Sequence, residues 1–138
     1  MDAFVLDCSA TMAWCFADEA TRKTDELLDS LTGDQRAYAP SIWPLEVTNV
    51  LLVSERRNRI TIEDAARFIT LLWNLPLTVD QEMTPPIIQS ILKFGSTHQI
   101  SSYDAAYLEL ALRRGLAIAT LDKRLKKIAK SLGVPCLL

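Results

Sequence analysis

Four acids in this chain fall where a carboxylate can do chemistry: Asp7, Glu46, Asp104 and Asp122. Asp7 ends the apolar run Ala3-Phe4-Val5-Leu6, which reads as a short buried strand. A carboxylate at the end of such a strand must be paired, hydrogen-bonded or metal-bound. Asp122 follows a second run, Leu116 to Thr120, in the same way. Glu46 lies within an apolar stripe formed by Ile42, Leu45, Val50 and Val53, with Asn49 three residues on adding a second polar group to that face. Asp104 stands at the start of a helix behind Ser101 and Ser102. In open α/β sheets, ligands bind beyond the carboxyl ends of the strands. Carboxylates meeting there would repel and hold protons unless a cation joined them. Helix N-termini at the same rim offer amides to phosphate oxygens. Metal-held water attacking a phosphodiester is the chemistry that uses this set.

Each acid also has a purely structural reading. Ser101 and Asp104 fit a capping box. Asp122 makes a good N-cap, and Asp7 caps the helix that Ser9 and Thr11 suggest. Glu46 reads equally as a stripe-edge glutamate reaching to water. It is the common placement of all four that argues for one crevice. Ser9 and Thr11 themselves read as helix starters.

The positioning elements follow from periodicity and punctuation. Strands are expected at 3–6, 37–39, 77–79, 116–120 and 134–138. Helices are expected at Thr11–Ala17 and Glu19–Leu31, and from Pro40 and Ser41 to about Arg57. Further helices run from Thr61 to about Trp73, Thr84 to Gly95, Ser101 or Ser102 to Arg114, and Asp122 to about Leu132. Strands separated by helices imply a parallel sheet covered on both faces, an α/β/α sandwich in three layers. No linker or repeat divides residues 1–138, so a single domain is expected.

Composition narrows the class. Hydrophobic residues are 49% and charged residues 23%, ordinary for a soluble globular chain. A net charge of −2 means that any nucleic-acid contact must be local. No apolar run reaches membrane-span length, and Asp2 and Asp7 stand where a signal peptide would be basic. Cys8, Cys15 and Cys136 form no CxxC pair, which fits a reducing cytoplasm and packed thiols. With His98 the one histidine, and read as a loop residue, any metal site must be built on oxygens, pointing to Mg²⁺ or Mn²⁺.

The segments Val5-Leu6-Asp7-Cys8-Ser9, Pro40 to Val47, Ser102-Tyr103-Asp104-Ala105-Ala106-Tyr107 and Ala119 to Leu125 resemble, in order and spacing, the PIN-domain family. The likeness is greatest to its VapC-type toxin ribonucleases and spans essentially the whole chain. It implies metal-ligand roles for Asp7, Glu46, Asp104 and Asp122, with Ser9 and Thr120 supporting them. It implies Mg²⁺ or Mn²⁺ as cofactor, endonucleolytic cleavage of RNA, homodimerisation, and a cognate antitoxin that occludes the site. Some members carry a further acid after the last motif; nothing after Asp122 is acidic here.

Lys123, Arg124, Lys126, Lys127 and Lys130 crowd the last helix. Lys123 and Arg124 flank Asp122 and read as candidate RNA contacts; the others read as a solvated face. Arg56, Arg57 and Arg59 read as helix-end caps and surface. Trp14, Trp43 and Trp73 read as core or partner surface. Two rival functions remain. A haloacid-dehalogenase-type phosphatase would use Asp7 as nucleophile, although Ser9 stands where that family needs a second Asp. A catalytically silent partner-binding module would keep the fold alone.

Overall fold

The computed structural model describes residues 2–138. Four strands form one parallel sheet: β1 (Ala3–Leu6), β2 (Arg36–Pro40), β3 (Leu77–Asp80) and β4 (Ala117–Ala119), in the order β3-β2-β1-β4. Phe4, Val5 and Leu6 are consecutive and all fully buried. Successive strand side chains point to opposite faces, so both faces of β1 are covered. Seven helices supply the cover: α1 (Cys8–Ala13), α2 (Arg22–Ser30), α3 (Trp43–Arg56), α4 (Ile62–Trp73), α5 (Pro85–His98), α6 (Ser102–Arg114) and α7 (Lys123–Ser131). The main core joins the strands to Trp43, Val47, Leu72, Tyr107, Leu108 and Ile128. A smaller cluster of Ile87, Ile91, Ala105 and Ala106 welds α5 to α6. Among the described residues no helix is long and apolar enough to cross a membrane.

Several expected boundaries move, each for a local reason. The first helix begins at Cys8 and not Thr11, because Asp7 itself is the N-cap and accepts the N–H of Ala10. The second begins at Arg22, because Thr21 and Thr24 form the capping box; residues Ala17–Glu19 make a separate 3₁₀ turn. α5 passes through Gly95 and ends at His98, where Gln99 turns left-handed at φ 54°. His98 is therefore helical. Gly95 matters for a different reason: a Cβ there would stand 3.2 Å from the carbonyl oxygen of Ile100. The expected strand at 134–138 reduces to one bridge between Ile118 and Cys136. Ile118 N–H donates to Pro135 and Leu137 N–H donates to Ile118, and Pro135 has no N–H with which to extend the ladder.

The stripe expected on α3 is also displaced. The buried positions are Trp43, Val47, Leu51 and Ser54, while Leu45 is 67% exposed. Glu46 lies at the edge of that buried face and is half-buried. Trp73 stacks on Trp43 with ring centroids 5.4 Å apart. Of the tryptophans, Trp43 is core, Trp14 is half-buried with its indole N–H on the Thr24 carbonyl, and Trp73 is exposed.

Candidate active site at the strand rim

The strand order places β1 beside both β2 and β4, so the chain's connections reverse direction between β1 and β4. A crevice opens at such a reversal, beyond the carboxyl ends of the strands. Asp7 stands at its β1 side and donates its backbone N–H to Ala119 of β4 at 3.2 Å. Its carboxylate is 5% exposed and fully engaged. Oδ1 accepts from the Ser9 hydroxyl at 2.7 Å and the Ala10 N–H at 2.9 Å; Oδ2 accepts from the Thr120 hydroxyl. Ser9 Oγ in turn accepts the Leu121 N–H at 2.9 Å, and Thr120 Oγ1 accepts the Asp122 N–H at 3.0 Å. The two hydroxyls thus lace the end of β1 to the loop after β4. Capping and site placement are the same geometry at Asp7, not alternatives.

Thr11 does more than extend a helix. Its buried hydroxyl donates to the Asp7 carbonyl at 2.7 Å and accepts the Trp43 indole N–H at 2.9 Å. A threonine four residues after an acid that caps the helix can bond back in this way, and that spacing was the available signal.

Glu46 projects from the first turn of α3, and its Oε1 accepts the Tyr107 hydroxyl at 2.5 Å. Asn49 is exposed and makes no side-chain hydrogen bond among the described residues. Asp104 is half-buried in the first turn of α6. Its N–H donates to Ser101 Oγ at 3.1 Å, but its carboxylate does not return to Ser101, so the capping box is one-sided. Asp122 is exposed and caps α7, with Oδ1 accepting the N–H groups of Arg124 and Leu125 at 2.9 and 3.0 Å. Glu46 Oε2, Asp122 Oδ2 and both carboxylate oxygens of Asp104 accept no hydrogen bond from the described residues.

The four charges sense one another in a ring. Burial raises the Asp7 carboxyl above its ordinary value, against the pull of Ala10 N–H, Thr120 and Ser9, and the charge of Asp122 adds to the rise. Burial raises Glu46 despite the Tyr107 hydrogen bond, with Asp104 and Asp7 adding to it. Burial and the charge of Asp122 raise Asp104, while Arg124 opposes. Burial also pushes the Cys8 thiol up to about 12, with Glu46 and Asp7 adding, which leaves it a packed neutral thiol. Among the described residues no three carboxylate, thiol or imidazole groups are gathered closely enough to hold an ion as they stand. The donor chemistry nevertheless fits a hard cation, since the rim offers free carboxylate oxygens under mutual repulsion.

The basic residues divide. Lys123 is exposed beside Asp122. Arg124, expected to contact RNA, turns its guanidinium onto the carbonyls of His98 and Gln99 at 3.2 and 2.8 Å, the end of α5. Arg59 pairs with Asp18 and Glu19 and lies 3.8 Å over the Phe16 ring. A fifth acid, Asp80, was not singled out by sequence although it ends β3. It is buried, but Arg113 and Arg114 meet its Oδ2 at 3.1 Å, which makes it a structural ion pair.

A parallel sheet with its reversal between β1 and β4 defines an open α/β fold, the class that takes its ligands beyond the carboxyl ends of the strands. The chain belongs to the PIN-domain family, whose model matches residues 4–131. It is 24% identical over 131 residues to Ribonuclease VapC3 of Pyrobaculum aerophilum, covering 95% of this chain and 98% of that protein. Its fold is similar to the crystal structure of PAE2754 from P. aerophilum (TM-score 0.73, 19% identity, 99% of this chain and 90% of that one). It is also similar to Mycobacterium tuberculosis VapC20, a sarcin–ricin loop cleaving toxin (TM-score 0.66, 14% identity, 91% and 94% covered). PIN membership replaces the phosphatase reading.

Proposed function

We propose that this chain is a divalent-metal-dependent endoribonuclease acting in the cytoplasm, the toxin of a toxin–antitoxin pair, and that residues 1–138 form one such domain. The observation that carries this is the placement of four acids at the rim of the β1–β4 reversal, where burial raises Asp7, Glu46 and Asp104 and another member's charge adds to each rise. Its likeness to a ribonuclease and to a toxin supports RNA as substrate and a silencing antitoxin as partner. The family resemblance supports a homodimer as its assembly.

Asp7, Glu46, Asp104 and Asp122 would hold Mg²⁺ or Mn²⁺. The ion would supply charge against a phosphate oxygen and lower the pKa of a water molecule. Ser9, Thr120 and Ala10 N–H fix the Asp7 carboxylate so that it does not swing away from its neighbours. Asp122 ties the start of α7 to the same rim. Lys123, next to Asp122, meets the RNA backbone as a mobile point charge.

Cleavage of RNA by purified protein with Mn²⁺ tests the reading, comparing wild type with Asp7→Asn and Asp104→Asn. Loss of activity in both variants is expected. Equal background cleavage in all three would leave the silent partner-binding module as the better account.

A further inference from the structure

Tyr107 stands outside the four-acid set, yet it is wired into it. Its side chain is 2% exposed on α6, and its hydroxyl makes its one hydrogen bond among the described residues with Glu46 Oε1, across 61 positions of sequence. A phenylalanine would fill the same space without a buried hydroxyl that must find a partner.

The other anchored acids are held by several groups. Asp7 accepts from Ser9, Ala10 and Thr120. Asp122 accepts two backbone N–H groups. Glu46 has no such support on its own helix: the Tyr107 hydroxyl is the one donor to its carboxylate among the described residues. A glutamate side chain loses up to about 2 kcal/mol of rotamer entropy when fixed. An unheld Glu46 would have to supply that ordering at the moment of binding. Tyr107 sits one turn after Asp104 on the same helix. The helix that carries one candidate ligand therefore reaches across to fix another on α3.

We propose that Tyr107 is a positioning residue that holds Glu46 by its Oε1 and leaves Oε2 for a divalent cation shared with the rim. This rests on the cation reading above. The test is Mn²⁺ binding to the purified, metal-free protein, followed by titration calorimetry, with melting temperature and circular dichroism measured on the same samples. Four proteins are compared: wild type, Tyr107→Phe, Glu46→Gln, and the double variant. Removing a hydrogen bond behind a metal ligand typically weakens affinity about 10- to 100-fold. The expected result is a loss of that order for Tyr107→Phe in the wild-type background, and no further loss when Glu46 is already Gln. In cleavage assays the same variant should lower kcat and leave KM for RNA near wild type. Two results would overturn the proposal while leaving the cation reading intact: unchanged Mn²⁺ affinity in Tyr107→Phe, or an equal loss in both backgrounds, which would mark a role in the fold alone. A wild-type protein that binds no Mn²⁺ would overturn the cation reading, and this proposal with it.

Discussion

The Trp43 indole N–H donates to Thr11 Oγ1 at 2.9 Å, and both residues are fully buried. Because the same hydroxyl donates to the Asp7 carbonyl, the start of α3 is fastened to the end of β1. Glu46 lies one turn past Trp43, so this bridge fixes the separation of two of the four acids. Thr11→Val removes the hydroxyl at nearly constant volume and strands the buried Trp43 indole N–H, while the Asp7 carbonyl keeps the Thr11 backbone N–H at 3.2 Å. An unsatisfied buried donor costs about 1–3 kcal/mol. Denaturant unfolding should place Thr11→Val about 1–3 kcal/mol below wild type, with Thr11→Ser losing less because it keeps the hydroxyl. Equal stability of the valine variant would remove the bridge from the account.

The pH dependence of the metal-free protein follows from the raised carboxyls. Asp7, Glu46 and Asp104 all titrate above their ordinary values in the fold. In that window the native state binds more protons than the unfolded chain, so stability falls as pH rises through it. Asp7→Asn should therefore melt higher than wild type near neutral pH in the absence of metal. The gap should close as the solution is acidified below the ordinary carboxylate value. Mg²⁺ or Mn²⁺ should reverse the order: saturation at 100 times Kd adds about 2.7 kcal/mol to a protein that binds it. Thermal melts with and without metal between pH 3 and 8 check both signs, the pH limits being roughly those that bracket carboxylate titration. A lower metal-free melting point for Asp7→Asn would mean that its cap hydrogen bonds outweigh the repulsion.

Asp80 carries the opposite sign. Burial alone would raise it, but the Arg113 guanidinium, the Glu82 N–H and Arg114 overcome burial and hold the carboxyl below its ordinary value. Arg113 also chelates buried Glu109 through two bonds of 2.8 and 3.1 Å. This network ties the end of β3 to the end of α6. Its contribution is present above the unfolded carboxylate value and is lost as pH falls through the folded one. Asp80→Asn should cost about 1–3 kcal/mol at neutral pH, since Arg114 loses its one carboxylate partner among the described residues while Arg113 keeps Glu109 and Glu82. The deficit relative to wild type should shrink in acid. A loss independent of pH would point to packing and not to charge.

How far these relationships were legible varies with the distance over which they act. Asp7 and Asp122 could be placed from local pattern alone, because each ends an apolar run and starts a helix. The parallel sheet was legible for the same reason. The inward face of α3 was not: Leu45 and Val47 are both apolar, and only the packed fold decides that Val47 is buried and Leu45 exposed. Tyr107 and Glu46 meet across 61 residues, and no periodicity encodes such a pair. Asp80 looked like any strand end until the arginines of α6 were brought to it. Arg124 was read only as a cation beside an acid, because its partners in the fold are backbone carbonyls that sequence cannot display.

Arg124 and Lys127 should consequently behave differently, though both are cations of α7. Arg124 satisfies two carbonyls at the end of α5, where Gln99 turns left-handed before Ser101 caps α6. It therefore holds the turn that delivers Asp104, and its charge also bears on that carboxyl. Lys127 is exposed on α7 and has no side-chain partner among the described residues. Arg124→Ala should lower stability by about 1–2 kcal/mol, the usual worth of hydrogen bonds from a charged donor, and should depress cleavage at every salt concentration. Lys127→Ala should leave the melting temperature within about 1 °C, as surface changes of under ~0.5 kcal/mol do. If it touches RNA at all, its effect should be confined to KM and should reduce the salt slope by about one ion. The same measurements on Lys123→Ala place that residue on one side or the other. Should Arg124→Ala instead retain wild-type stability and lose only salt-sensitive RNA affinity, the guanidinium acts on phosphate after all and the α5 clamp is incidental.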